Sequence, residues 1–147
     1  MAELGTTPSD PASILVVEDE VIVAEDLRRR LQAMGYRVPA VAYSGTACLK
    51  LAAQGRPDLV LMDIGLEGEI DGVEAARKIH FDLDIPVVFA SAYSDDVTLQ
   101  RAKVAEPCGF VLKPFEEREL KSTIEIALYK YRADKQLRES ERRYRLL

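Results

Sequence analysis

The sequence contains few of the residues that most often bind transition metals. It has two cysteines and one histidine among 147 residues. Cys48 and Cys108 stand alone, without the CxxC or Cys/His spacing of a zinc site, so we interpret them as structural thiols rather than as a disulfide. His80 falls late in a predicted helix and is interpreted as a surface residue. Zinc is therefore disfavoured as a cofactor.

The chain also lacks the sequence features of membrane proteins and of nucleic-acid-binding proteins. Its start, MAELGTTPSDPAS, has neither a cationic region nor an apolar core, and no later apolar run is long enough to span a bilayer. We expect a cytoplasmic protein without membrane contact. The net charge is −5, from 20 Lys and Arg against 25 Asp and Glu, and no basic stretch follows a recognition pattern. Direct binding to nucleic acid is therefore not expected.

What the chain does contain is a regular alternation of short apolar runs with segments of helical period. The runs cover residues 13–18, 36–43, 58–63, 85–91 and 108–113. This alternation predicts an α/β protein of five βα units around a doubly wound parallel sheet. Four runs are almost continuously apolar, as strands covered on both faces must be. Pro39 places the second run at a sheet edge, which matches the flavodoxin-like strand order 2-1-3-4-5.

Several helix signals lie between the runs. Asp71 and Glu74 have the spacing of a capping box, and Ser94 is the predicted N-cap of the fourth helix. The fifth helix is predicted to begin after Pro114. Its apolar stripe comprises Leu120, Ile124, Leu128 and Tyr131.

The predicted organisation is one domain with an extension at each end. We expect a disordered segment over residues 1–12, a folded domain over 13–131 and a helical extension over 132–147. The extension has no glycine or proline, and a 4-3 spacing relates Ala133, Leu137, Ser140, Tyr144 and Leu147. Ser140 is a poor core residue for a coiled coil. A solvated tail and a connector or coiled-coil linker toward a downstream domain both stay open, and we favour the connector.

Polar side chains follow four of the predicted strands. They are Glu18 and Asp19 after the first strand, Asp63 after the third, Ser91 at the end of the fourth and Lys113 after the fifth. Each has an ordinary explanation alone, as a cap, a turn residue or a surface charge. Together they meet at one edge, because the carboxyl ends of parallel strands form the ligand-binding crevice of open α/β sheets.

This set of groups suggests phosphoryl chemistry. Clustered carboxylates repel one another unless a cation lies between them, and Mg²⁺ binds carboxylate oxygens while leaving room for phosphate oxygens. Asp63 could then attack phosphorus and form an aspartyl phosphate. Lys113 would neutralise charge on the transferring group, and the Ser91 hydroxyl would donate to one of its oxygens.

In these residues the chain resembles the receiver domains of two-component response regulators, over about residues 13–131. The motifs are VVEDE with Glu18 and Asp19, LVLMDIGL with Asp63, FASAY with Ser91, and GFVLKPF with Phe110, Lys113 and Pro114. The resemblance implies that Mg²⁺, or Mn²⁺, is held by Asp19, Asp63 and the backbone carbonyl of Gly65, with Glu18 acting through water.

The resemblance also implies a switch. Ser91 and Phe110 would rearrange on phosphorylation, next to a cis peptide bond between Lys113 and Pro114. Gly65 and Tyr93 fall at positions that tune the lifetime of the phosphoryl group in this family. The family often has Asp, Thr and Tyr at the positions taken here by Glu18, Ser91 and Phe110. The first two replacements keep the functional group, whereas phenylalanine cannot donate a hydrogen bond.

By the same resemblance, the phosphoryl donor is a phosphohistidine on a histidine kinase or phosphotransfer protein. The domain would catalyse its own phosphorylation and dephosphorylation without turning over a separate substrate. The fourth helix, fifth strand and fifth helix would form the output face. The LRESERRYRLL segment is similar to the helical lead-in of PAS domains, so we expect the N-terminal module of a multidomain signalling protein, such as a hybrid sensor histidine kinase, dimerised through its C-terminal helix.

Other functions stay open at this point. A stand-alone receiver could pass on the phosphoryl group or act as a protein-binding adaptor, and a pseudo-receiver would never accept one. A haloacid dehalogenase-type phosphatase also forms an aspartyl phosphate, but it needs a second Asp where Gly65 stands. A flavodoxin would need Ser, Thr and Gly in its first loop, which here reads EDE.

Overall fold

The fold was analysed in a computed structural model that describes residues 10–66, 68–92, 100, 103 and 107–146. Five parallel strands form one sheet in the order β2-β1-β3-β4-β5. The strands are β1 Ile14–Val17, β2 Val41–Ala42, β3 Leu59–Asp63, β4 Val87–Ser91 and β5 Gly109–Leu112. The helices are α1 Val21–Ala33, α2 Gly45–Gly55, α3 Gly72–Lys78, a π-helical segment Ile79–Leu83 and the C-terminal helix Glu117–Leu146.

The predicted fold class and strand order are confirmed. Each predicted strand except the second agrees with the observed strand to within two residues at either end. The second was predicted over residues 36–43, whereas β2 has only two residues, Val41 and Ala42, which pair with β1. Pro39 precedes this short ladder, and Arg37 forms only an isolated bridge with Ser13. A proline without an amide hydrogen interrupts the pairing, so β2 is short and lies at the edge.

The core consists of two apolar layers, one on each face of the sheet. Alternate residues of β1 separate between them: Leu15 and Val17 pack in one layer, and Ile14 and Val16 in the other. This separation follows from the two-residue period of a strand. Both layers are made largely of buried aliphatic side chains, which explains why the central strands read as continuous apolar runs.

The predicted helix signals are confirmed where the structure describes them. The Asp71 carboxylate accepts a hydrogen bond of 2.9 Å from the Glu74 amide and caps α3. Ser44, which the sequence analysis did not single out, caps α2 by accepting from the Ala47 amide. Ser94, Tyr93 and residues 1–9 lie outside the described residues, so the fourth-helix cap and the disordered N-terminus stay predictions.

The C-terminal helix continues for 30 residues. Leu120, Ile124 and Leu128 of its predicted stripe are buried, and Tyr131 is half-buried. Residues 132–143 are exposed, so this part of the helix projects beyond the apolar core. Within the described residues, no helix is long and apolar enough to cross a membrane.

Candidate functional site

Strand register brings the predicted polar residues to one edge of the sheet. Val17 lies opposite Met62, so the next residue of each strand, Glu18 and Asp63, lies at the same level. Asp63 in turn pairs with Ala90 of β4. Ser91 pairs with Leu112, directly before Lys113. The sheet therefore places side chains from four strands at its carboxyl edge, as expected of an open α/β sheet.

Lys113 connects two of the carboxylates. Its Nζ lies 2.6 Å from Glu18 Oε1 and 3.9 Å from Asp63 Oδ2. The Glu18 side chain is only 1% exposed. A buried carboxylate is tolerated only when it is paired and hydrogen-bonded, and Lys113 is the ion-pair partner of Glu18 inside the domain. The close contact also fixes the ammonium group beside Asp63.

Three consecutive acids form the tightest group of carboxylates. One carboxylate oxygen from each of Glu18, Asp19 and Glu20 lies within 4.8 Å of the others. The second Glu18 oxygen accepts a 3.1 Å hydrogen bond from the Glu20 amide, which holds the turn after β1 in place. Glu20 had no predicted role, although it is the third acid of the EDE stretch.

This acidic group makes one carboxyl harder to ionise. Burial, followed by the adjacent Glu18 carboxyl, raises the pKa of Asp19. Lys113 acts in the opposite direction but more weakly. A bound cation would relieve this repulsion. The donor set contains only oxygens, which fits a hard divalent ion such as Mg²⁺ rather than Zn²⁺.

Asp63 is oriented by the backbone that follows it. Its Oδ1 accepts a 2.9 Å hydrogen bond from the Gly65 amide, and the side chain is 14% exposed. A Cβ added to Gly65 would meet only this Oδ1, at 3.5 Å. A Cβ on Gly72 would instead lie 2.6 Å from the Asp63 carbonyl oxygen. The first residue of α3 thus has to be glycine for the helix to start this close to β3, a role that sequence reasoning missed.

Ser91, at the end of β4, is the last of the predicted side chains at this edge of the sheet. It is 6% exposed, and its carbonyl accepts a 2.7 Å hydrogen bond from the Lys113 amide. This bond extends the pairing of β4 and β5 by one residue, which aims the lysine back across the sheet edge. The peptide bond between Lys113 and Pro114 is cis.

Comparison with known proteins now identifies the domain. Residues 14–125 match the family described as the response regulator receiver domain. The chain belongs to this family. It is 33% identical over 130 residues to the transcriptional regulatory protein PdtaR of Mycobacterium tuberculosis, a match that covers 86% of this chain and 63% of that protein. The chain thus covers less than two thirds of PdtaR.

Solved structures agree with this assignment. The receiver domain of a modulated diguanylate cyclase from Desulfovibrio desulfuricans is 36% identical, with a TM-score of 0.81 over 85% of this chain and 99% of that one. The N-terminal domain of a response regulator/sensory box/GGDEF three-domain protein from Carboxydothermus hydrogenoformans is 34% identical, with a TM-score of 0.76 over 83% and 98%. The chain is therefore a receiver domain of two-component signal transduction.

Receiver domains generally bind Mg²⁺ at their acidic site and interact with histidine kinases or phosphotransfer proteins. In this receiver, Phe110 of β5 is half-buried, with its ring centroid 6.4 Å from that of Phe89. It packs at the margin of one apolar layer. Tyr93, the second residue expected to tune phosphoryl lifetime, lies outside the described residues.

Proposed function

We propose that Asp63 of this receiver accepts a phosphoryl group from a phosphohistidine of a partner protein. The observation that carries the proposal is the position of the Lys113 ammonium, 2.6 Å from Glu18 and 3.9 Å from Asp63 at the carboxyl edge of the sheet. A carboxylate beside a fixed cation and an acidic cluster is suited to attack phosphorus when a metal ion is bound.

The transfer would exchange one phosphorus bond for another. A carboxylate oxygen of Asp63 forms a P–O bond while the P–N bond to the donor imidazole breaks, and the imidazole leaves with that electron pair. Lys113 neutralises negative charge on the phosphoryl oxygens, and Ser91 donates a hydrogen bond to one of them. Asp19, Asp63, the Gly65 carbonyl and, through water, Glu18 would hold Mg²⁺ or Mn²⁺, which supplies further positive charge.

The signal would follow from the charge added at Asp63. New acceptor oxygens favour a conformer in which Ser91 turns toward them and Phe110 moves further into the core. Such a shift changes the face formed by the fourth helix, β5 and the C-terminal helix. Water later hydrolyses the aspartyl phosphate, so the domain catalyses its own phosphorylation and dephosphorylation without turnover of a separate substrate.

Incubation with Mg²⁺ and acetyl phosphate tests this chemistry directly. We expect intact-mass spectrometry to detect one phosphoryl adduct on the wild-type chain, loss of the adduct in Asp63→Asn, and loss when EDTA replaces Mg²⁺. Asp82→Asn, at an exposed acid of the π-helical segment, is the matched control and should be phosphorylated normally. An adduct that persists in Asp63→Asn would show that the acceptor is a different residue.

We further propose that the C-terminal helix connects the receiver to a downstream PAS or kinase domain and pairs with the same helix of a second copy. The helix carries a stripe of exposed residues opposite its buried stripe, at spacings of three and four. Ile126 is 52% exposed, Tyr129 74% and Leu137 58%. The stripe comprises Ile126, Tyr129, Ala133, Leu137 and Ser140.

Light scattering over a range of concentrations tests the pairing. The wild-type chain should increase in mass toward a dimer, because pairing removes the exposed stripe from water. Leu137→Glu should remain monomeric, since pairing would bring two like charges together in the exposed stripes of the two helices. Glu139→Gln, at an exposed site on the same helix, is the control. A wild-type chain that stays monomeric throughout would remove the proposed pairing from this part of the protein.

A further inference from the structure

The sheet edge opposite Asp63 contains an unusual pair of residues. Arg56 and Asp84 have positive φ angles of 45° and 58°, and they are the non-glycine residues with positive φ in the described parts of the chain. Arg56 ends α2 and Asp84 ends the π-helical segment. Both line one cavity of about 320 Å³, whose other wall is the C-terminal helix.

Hydrogen bonds order the corner of the domain formed by the two turns that contain Arg56 and Asp84. The Asp84 amide donates to the Ile79 carbonyl, which closes the π-helical segment. The Arg56 guanidinium donates to the Leu83 carbonyl at 3.3 Å. The two left-handed residues are therefore held in place by hydrogen bonds from neighbouring turns, rather than lying in independent loops.

Asp84 contacts the C-terminal helix through both its main chain and its side chain. The Tyr131 hydroxyl donates to the Asp84 carbonyl. The Arg138 guanidinium lies 3.4 Å from the Asp84 carboxylate. The Tyr131 hydroxyl is the largest cause of a lowered pKa at Asp84, and the positive charges of Arg138 and Lys135 act in the same direction.

These contacts fall where the helix leaves the apolar core. Leu128 is the last buried residue of the helix within the described range. The same face then continues through Tyr131, Lys135 and Arg138, at spacings of four and three, so an apolar stripe becomes a hydroxyl and two cations. A short helical extension without tertiary contacts is marginal in water. The change in chemistry thus coincides with the position of Asp84, which Tyr131 and Arg138 contact. Arg138 also pairs with Asp134 of its own helix, at 3.6 Å.

The presence of aspartate rather than glycine at position 84 supports a specific role for its side chain. Glycine is the usual residue at a left-handed helix terminus because it has no Cβ to strain. An aspartate there gives up part of this conformational advantage. Its carboxylate is engaged with Arg138, which accounts for the presence of a side chain at this position.

We propose that Asp84 is an anchoring residue that fixes the first two turns of the C-terminal helix beyond the domain core. The partner is this chain's own helix, which contacts Asp84 through Tyr131 and Arg138 and places the positive charge of Lys135 nearby. The anchor lies at the amino edge of the sheet, whereas Asp63 lies at the carboxyl edge, so the direction in which the helix leaves the domain is set by residues remote from the phosphorylation site. This inference does not depend on phosphorylation and can be tested on the unmodified chain.

Hydrogen exchange of the full chain tests the anchor. Asp84→Gly keeps the left-handed backbone, relieves its strain and removes the carboxylate. The relieved strain offsets the lost charge, so the stability of the receiver core should change little. The amides of residues 132–143 should exchange about threefold to tenfold faster, as expected for loss of a partly exposed ion pair at a helix extension. Asp84→Asn, which retains a polar side chain, should give a smaller increase.

Matched variants separate the anchor from general effects. Arg56→Gly removes a hydrogen bond to the Leu83 carbonyl but leaves the Asp84 carboxylate in place, so it should accelerate exchange of the extension less than Asp84→Gly does. Arg138→Gln should accelerate exchange, whereas Arg142→Gln, one turn further along the exposed helix, should not. Wild-type exchange of the extension in Asp84→Gly would overturn the proposal, as would equal acceleration by Arg138→Gln and Arg142→Gln. If Asp84→Gly also destabilises the core, Arg138→Gln should still accelerate exchange more than Asp134→Asn, which removes only the pair that Arg138 makes within the helix. Equal acceleration by these two variants would overturn the proposal.

Discussion

The two edges of the sheet use aspartate in opposite ways. At the carboxyl edge, burial and the adjacent Glu18 raise the pKa of Asp19. At the amino edge, the Tyr131 hydroxyl and Arg138 lower the pKa of Asp84. Desolvation and repulsion at the first edge, which Lys113 offsets only in part, leave a site suited to a bound cation. Attraction at the second leaves a carboxylate already satisfied by the chain, which favours a role in holding the structure together.

Three positions at the two edges show how glycine and other residues are used differently. At the carboxyl edge, Gly72 is required by space, because a Cβ there would lie 2.6 Å from the Asp63 carbonyl oxygen. At the amino edge, Gly35 ends α1 with a positive φ of 99°, whereas Arg56 and Asp84 occupy similar left-handed conformations that usually belong to glycine. Position 72 thus gives up a side chain so that α3 can approach β3, and positions 56 and 84 keep their side chains at the cost of backbone strain.

The first way to break this comparison is Gly72→Ala, for which we expect the largest effect. An alanine inside a helix is usually more stable than glycine. Here the added methyl would collide with the Asp63 carbonyl and force α3 away from β3, so the free energy of unfolding should fall by about 1–3 kcal/mol. Chemical denaturation measures this change.

Gly65→Ala provides the control at the same edge, because its Cβ would meet only a carboxylate oxygen at ordinary contact distance. We expect its free energy of unfolding to stay within about 0.5 kcal/mol of the wild type. If both variants are equally stable, the close approach of α3 to β3 does not constrain the sequence. Asp84→Gly, at the opposite edge, should likewise leave the core intact.

Much of the carboxyl edge could be predicted from the sequence, because its geometry follows from periodic features. Strand periodicity predicted a parallel sheet, and the edge position that Pro39 gave the second strand matched the flavodoxin-like order that the structure has. Once the order is known, parallel register places Glu18, Asp63 and Ser91 at one edge. The 2.6 Å contact between Lys113 and Glu18 could not be predicted, because it depends on side-chain reach rather than on period.

The backbone conformations and side-chain contacts at the amino edge were not predicted from the sequence. The left-handed conformation of Arg56 has no signal in its residue type, and that of Asp84 has only a weak one, since glycine or asparagine is the usual indicator. The sequence predicted the buried stripe of the C-terminal helix up to Tyr131 and a separate seam beyond it. It did not reveal that Lys135 and Arg138 continue the inward face, because charged residues at helical spacing are more often solvated.

The comparison of the two aspartates can be sharpened by a pair of variants with small effects of opposite sign. Asp19→Asn removes a repulsive charge and should raise the free energy of unfolding at neutral pH. Asp84→Asn removes an attractive charge and should lower it. Both groups are largely exposed and screened by solvent, so each change should be no more than about 1 kcal/mol. Thermal unfolding at low ionic strength measures both.

The pH dependence of these two changes in unfolding free energy tests whether they arise from ionised carboxylates. The unperturbed carboxyl pKa is 3.8, and folding lowers that of Asp84, so the stability that Asp84 contributes is present above 3.8 and is lost as the pH falls through the folded-state value. Folding raises the pKa of Asp19, so the cost of its charge is present above that raised value and disappears as the pH falls toward 3.8. Both variants should therefore approach wild-type stability in acid, from opposite sides. Added Mg²⁺ should stabilise the wild type more than Asp19→Asn while leaving the deficit of Asp84→Asn unchanged, because the acidic cluster that could receive a cation lies at the carboxyl edge, remote from Asp84. If Asp19→Asn and Asp84→Asn change the free energy of unfolding in the same direction at neutral pH, the two aspartates do not have the opposite charge effects proposed here.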